Sequence, residues 1–202
     1  MDIVMLPTDK REGATALGPD DMEGLRLSYI STRAQLDAAE FDNIASAAEW
    51  AQRCARKGPA EVLSVNFLLD LHQRMFGQVW DWAGKWRRRD TNIGVDWIRI
   101  PQDVANALAD ALHWHELSTF TRDEIAVRVH HRLAQIHPFP NGNGRSARYV
   151  ADLYLMSTGS APFTWGRDTP GTPSEIRADY IGILQSTDIT GDYTSMMDFA
   201  RS

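Results

Sequence analysis

Residues 137–148 read His137-Pro138-Phe139-Pro140-Asn141-Gly142-Asn143-Gly144-Arg145-Ser146-Ala147-Arg148. The stretch divides into a stop, a turn and a start. Pro138 disfavours helical backbone in the residue before it, so a helix arriving from upstream should end at His137. Gly142 and Gly144 lack Cβ atoms, which lets the backbone turn sharply and approach a ligand. From about Gly144 to Met156 the pattern predicts a new helix. The free N–H groups at such a start, with the helix dipole behind them, favour an anion. Arg145 and Arg148, three residues apart, emerge on neighbouring faces near that end, and each guanidinium can grip phosphate oxygens in pairs. His137, with an ordinary pKa of about 6.5, can take a proton from a hydroxyl at neutral pH. Phe139 is expected to anchor the turn in the core. A turn, a cap and two solvated arginines would explain the glycines and arginines alone, but few structural needs call for His-Pro-Phe at this spacing as well. No Gly-Lys-Ser/Thr follows, which excludes a P-loop.

Working outward, Thr121-Arg122-Asp123-Glu124 is a capping-box pattern, and Ile125, Val129, Leu133 and Ile136 line one face of the helix it opens. Ser64 can cap residues 65–76, with Gly77 as the stop. A long helix is predicted over 33–56 and a short one within 20–30. Pro101 fits the first turn of another. Thr172-Pro173-Ser174-Glu175 opens a helix holding Tyr180 and Leu184, and a last one is predicted from Thr194 to Arg201. Residues 78–100 break the helical pattern; Ile93-Gly94-Val95 and Trp97-Ile98 suggest short extended segments around a turn, a small hairpin. The basic run Arg87-Arg88-Arg89 reads as its solvated base. The fold class is mainly α: a helical bundle with a small β-hairpin, one domain over 20–202 behind a loose arm at 1–19. Within it, the helices at 20–57 stand before a core of about 60–202.

The composition narrows the function. The chain of 202 residues carries a net charge of −6, which argues against a broad nucleic-acid surface while leaving local phosphate binding open. A single cysteine, Cys54, excludes an internal disulfide and a cysteine-built zinc site. No run of 18 apolar residues occurs and the N-terminus lacks a signal-peptide core, so the expected setting is the cytoplasm, away from membranes. His113, His115, His130 and His131 invite a metal reading, but adjacent helical histidines point to different faces and no HExxH is present.

The stretch resembles the signature of the Fic-domain family, His-Pro-Phe-x-(Asp/Glu/Asn)-Gly-Asn-Gly-Arg-x-x-Arg. The similarity extends from the segment at 68–77 to the C-terminal helices, and residues 13–25 are similar to a bacterial subgroup found beside mobile elements. The resemblance implies a Fic fold and transfer of AMP from ATP to a Tyr, Thr or Ser hydroxyl of a target protein. It assigns His137 as base, Gly142, Asn143 and Gly144 as the anion hole, and Arg145 and Arg148 as β- and γ-phosphate ligands. It places Tyr180 near the nucleotide base, Asn141 at the Mg²⁺ (or Mn²⁺) position, and the target segment on a flap at about 86–100. Asn141 departs from the Asp or Glu of many active members and lacks their charge. Many members are restrained by a glutamate paired with the second arginine; Glu23 is the first candidate here and Glu40 the second. Self-modification, homo-oligomerisation, the γ-phosphate transfer of the Doc branch and a weakly active, nucleotide-holding regulatory module are the other readings that the resemblance leaves open.

Overall fold

The computed structural model describes residues 23–202, so the arm assigned to 1–19 lies outside the described residues. Eight helices make up the described chain: α1 Arg33–Ala55, α2 Pro59–Val62, α3 Val65–Phe76, α4 Ile100–Leu117, α5 Arg122–Ile136, α6 Asn143–Ser157, α7 Pro173–Thr190 and α8 Thr194–Arg201. Local chemistry sets most of their ends. Ser64 caps α3 by accepting from the Phe67 N–H at 3.2 Å, and Gly77 closes it. Thr172 and Glu175 form both halves of the capping box on α7, with Pro173 at its start. On α5 only the Thr121 half forms, because Glu124 turns its carboxylate to Arg128, at 2.8 Å.

Two expectations change. No helix forms in the described part of 20–30; instead Leu25 makes an antiparallel bridge to Trp80, flanked by Arg26 N–H to the Val79 carbonyl at 2.8 Å. Backbone groups near the end of α3 thus claim this segment before it can coil. The hairpin expected around 86–100 is also absent: among the described residues this stretch is bends and a single 3₁₀ turn, Trp97–Arg99. Two of its N–H groups pair with the end of the helix before the signature loop and the residues after it, Arg87 with the Pro138 carbonyl at 2.9 Å and Val95 with the Ile136 carbonyl at 3.3 Å. Those of Trp97, Ile98 and Arg99 close local turns. A segment whose donors are taken by a neighbouring helix end cannot build a cross-strand ladder.

Helix α6 lies at the centre, packed on α5 and touched by α1, α2 and α3, while α4 and α8 pack on α5 and α7 packs on α8. Trp165, Tyr154, Phe76 and Phe139 are among the largest side chains buried in the core. The signature loop is therefore the connection between the two central helices, held from below by the core and open on one side.

Candidate active site

The loop begins where α5 stops. His137 takes a left-handed conformation (φ 53°) and its N–H closes the helix on the Leu133 carbonyl at 3.1 Å. Such backbone is uncommon for a residue with a side chain and gathers at functional sites. Phe139 is fully buried, its ring stacked on that of His72 with centroids 3.6 Å apart. The Asn143 amide closes the loop on itself, accepting from the Phe139 N–H and donating to the Phe139 carbonyl, both at 2.8 Å. Its side chain is thus spent on the fold, leaving its backbone N–H for a ligand. The two glycines differ. Gly142 has φ 78°, and a Cβ there would come within 2.7 Å of Phe76, so the fold itself demands glycine. A Cβ at Gly144 would meet only Arg148, at 4.0 Å, so packing leaves that face open. The N–H groups of Asn143, Gly144 and Arg145 lie in the first turn of α6, where a helix offers them no acceptor of its own.

These groups border a cleft of about 980 Å³, lined also by His137, Arg148, Glu40 and Tyr180. The two arginines are held in different ways. Arg145 pairs with Glu40 of α1, a carboxylate 4% exposed that also accepts from the Trp80 indole at 2.6 Å. Its guanidinium lies over the Phe76 ring, 4.7 Å from the centroid. Arg148 has no ion-paired carboxylate among the described residues; its guanidinium lies 5.4 Å from the Tyr180 ring centroid. Burial holds the Arg148 pKa below its ordinary value, against the pull of Tyr180. Burial also lowers that of His137, opposed by a backbone hydrogen bond to Ala134 and helped by the Arg87 charge. At neutral pH His137 is a neutral imidazole at the edge of the cleft that holds Arg145 and Arg148, able to accept a proton beside a bound anion.

The model of the Fic/DOC family matches residues 62–155 of this chain. That segment belongs to the Fic/DOC family. The protein adenylyltransferase fic-1 of Caenorhabditis briggsae is 33% identical over 126 residues, which are 60% of this chain and 24% of that protein. The chain spans about a quarter of the length of this relative. The solved structure of Fic-1 residues 134–508 from C. elegans superposes with a TM-score of 0.59 at 24% identity, covering 89% of this chain and 56% of that one. BepC from Bartonella tribocorum, solved with bound AMPPNP, gives a TM-score of 0.62 at 14% identity over 89% of this chain and 95% of its own. Both likenesses are of fold.

Within and around the Fic/DOC segment, several residues shape the site without standing out in the sequence. Arg87, expected in solvent, is 2% exposed. Its guanidinium donates to the carbonyls of His137 at 2.7 Å, Arg89 at 2.9 Å, Ile136 at 3.3 Å and Val95. It therefore caps the negative end of α5 and fastens residues 89–95 against it. Gly94 lies so close to the base that a Cβ would come within 2.8 Å of the His137 Cβ. His72 bridges α3 to the loop: Nδ1 accepts from the Gly84 N–H and Nε2 donates to the Asn141 carbonyl, each at 3.0 Å. Burial depresses its pKa to about 3, so this tautomer is neutral. Glu23, the first candidate for a restraining carboxylate, binds the exposed Arg89 at 2.8 Å. Glu40, the second, is the one on a signature arginine.

The Asn141 side-chain oxygen, expected at a magnesium position, accepts from the Gly142 N–H at 2.6 Å. No cluster of His, Cys, Asp or Glu among the described residues could enclose a metal ion. At the magnesium position of the loop, the described residues thus offer one neutral, already engaged oxygen. That is a poor fit to a protein-built site for a hard cation.

Proposed function

We propose that this chain transfers AMP from ATP to a hydroxyl side chain of a target protein. The observation that carries the reading is the single cleft that joins a neutral His137 to the open first turn of α6 and to Arg148. The target hydroxyl gives its proton to His137 as its oxygen attacks the α-phosphorus. The bond from that phosphorus to the bridging oxygen breaks, and pyrophosphate leaves. The N–H groups of Asn143, Gly144 and Arg145 would hold the α- and β-phosphates, and Arg148 the terminal ones. Gly144 leaves room for close approach. ATP binding is in keeping with the bound AMPPNP of BepC, and the adenylyltransferase name of the worm relative supports the class of reaction. Mg²⁺ or Mn²⁺ would arrive with the nucleotide and neutralise phosphate charge, and Asn141 is the loop residue that would meet it once its oxygen leaves the Gly142 N–H. The target segment would lie along residues 91–98, beside His137; a second copy of the chain or the same chain can supply it.

Glu40 also supports a restrained enzyme. Its carboxylate occupies Arg145, so polyphosphate must compete for that guanidinium.

The test is transfer of label from α-³²P-ATP and, separately, γ-³²P-ATP, by wild type and His137→Ala, with Glu40→Gln to release restraint. Label on protein from the α-position alone, lost in His137→Ala, is the expected result. Label from the γ-position alone would instead indicate Doc-type phosphate transfer, and none from either, with ATP still bound, a nucleotide-holding module.

A further inference from the structure

The adjacent histidines of α5 play no part in the transfer chemistry, yet each is tied to α7. His131 meets Asp188 through Nε2 at 2.9 Å and the Tyr193 hydroxyl through Nδ1 at 3.0 Å. His130, fully buried, meets the Tyr180 hydroxyl through Nε2 at 3.0 Å, with the Trp165 ring 4.6 Å from its own. Its Nδ1 makes no well-formed hydrogen bond, and the Ala147 carbonyl is the backbone acceptor at the ring. Arg148 stands beside Tyr180 and His130, its guanidinium 5.4 Å from the Tyr180 ring centroid and its charge felt at His130.

Counting donors sets the direction of this chain. A guanidinium has five N–H donors and no acceptor, so towards Arg148 the phenol oxygen of Tyr180 can only accept. The hydroxyl proton is left to give, and His130 Nε2 is the atom that faces it. Deep burial keeps His130 neutral, which leaves one ring nitrogen with a lone pair.

We propose that His130 is a positioning residue for Arg148, acting through Tyr180. Arg148 donates to the Tyr180 oxygen, the Tyr180 hydroxyl donates to His130 Nε2, and the proton of His130 sits on Nδ1. The inference rests on reading Arg148 as a polyphosphate ligand. A carboxylate could orient Arg148 as well, but it would cancel the charge that an anionic ligand needs. A relay of neutral groups aims the guanidinium and leaves its charge whole. It also gives α7 a firm contact with the bundle, since Thr187 is that helix's one buried residue. Tyr180 then serves the phosphate end of the cleft, a different duty from lying beside the base.

The experiment measures ATP and AMP affinity by calorimetry for wild type, Arg148→Ala, Tyr180→Phe, His130→Gln, His130→Phe and the Tyr180→Phe/Arg148→Ala pair, with the melting temperature of each. Tyr180→Phe should weaken ATP about tenfold and leave AMP unchanged. His130→Gln, whose side-chain oxygen can accept the same hydroxyl, should stay within about threefold of wild type. His130→Phe should match Tyr180→Phe if it folds, and Tyr180→Phe should cost nothing further once Arg148 is gone. A ¹⁵N spectrum of the histidine rings should show His130 protonated on Nδ1. If Arg148→Ala binds ATP as wild type does, the polyphosphate reading falls and the relay with it. If Arg148→Ala weakens ATP but Tyr180→Phe does not, the relay alone falls. Equal loss of ATP and AMP in Tyr180→Phe, or a proton on Nε2, overturns it too.

Discussion

Arg145 and Arg148 sit one helical turn apart on α6 and face the same cleft, yet their surroundings are opposite. Arg145 is matched to a buried carboxylate, Glu40, brought from a residue 105 positions away in the chain. Arg148 lies by a phenol and forms no ion pair with a carboxylate among the described residues. The first arrangement makes a buried ion pair, whose desolvation consumes much of what the attraction returns. The second keeps a cation poised, at the cost of burying a charge that Tyr180 and the nearby Asp152 only soften. A signature that reads as two equivalent arginines is, in space, one restrained and one exposed to the ligand.

The largest effect that could break this comparison is on nucleotide binding. Arg148→Ala should weaken ATP roughly a hundredfold, the loss of a paired charge-assisted contact, while Arg145→Ala should cost much less because Glu40 already holds that side chain. Equal losses by calorimetry would erase the distinction.

The next contrast separates fold from ligand at the two glycines. Gly142→Ala should destabilise the protein by about 2 kcal/mol in urea titration, from its left-handed backbone and the contact with Phe76. Gly144→Ala should leave stability unchanged and weaken ATP instead. A stability loss at Gly144, or none at Gly142, would show that their roles are misassigned.

A third test concerns Asp152, one turn beyond Arg148 on α6. Burial pushes its pKa up to about 7, against the Trp165 indole, the Phe163 N–H and the Arg148 charge. Between about pH 4 and 7 the folded chain therefore keeps a proton that the unfolded chain has released, so this residue's contribution to stability is lost as pH rises through that window. Asp152→Asn should remove roughly 1–2 kcal/mol of that decline between pH 5.5 and 7.5. Urea midpoints with the same pH slope in variant and wild type would contradict it.

The smallest expected effect is a gain. Glu40→Gln keeps an acceptor for Trp80 but frees the Arg145 charge, and ATP affinity should rise about fivefold. No change would mean that the pair does not compete with phosphate.

Much of the fold was legible because its determinants are local. Ser64, Gly77, Thr172 and Pro173 mark helix ends through bonds to residues three or four away, and α3, α7 and α8 lie where the sequence puts them. The segment around residues 86–100 departs from its sequence pattern for the opposite reason. Arg87 stands in a basic run, and nothing beside it in sequence reveals that carbonyls 49 and 50 residues on will take its donors. Glu40 is named by the family resemblance, but its pairing with Arg145 rather than with the second arginine follows from the packing of α1 on α6. In sequence His130 shows only an adjacent histidine, whereas its partner on α7 is 50 residues distant. In the site, the residues that touch a ligand were readable from one contiguous motif. Those that aim them were not.

Arg87 has one further consequence, for time rather than place. To lift residues 89–95 off the end of α5, its guanidinium would have to leave its bonds to the His137, Ile136 and Val95 carbonyls together. Piecemeal fraying gains nothing, so opening should be rare and all-or-none. The amide protons of Arg87 and Val95 should then exchange with solvent far more slowly than those of an ordinary surface loop. An incoming protein chain would meet a shelf already set beside His137, and its association would need no prior rearrangement of that edge.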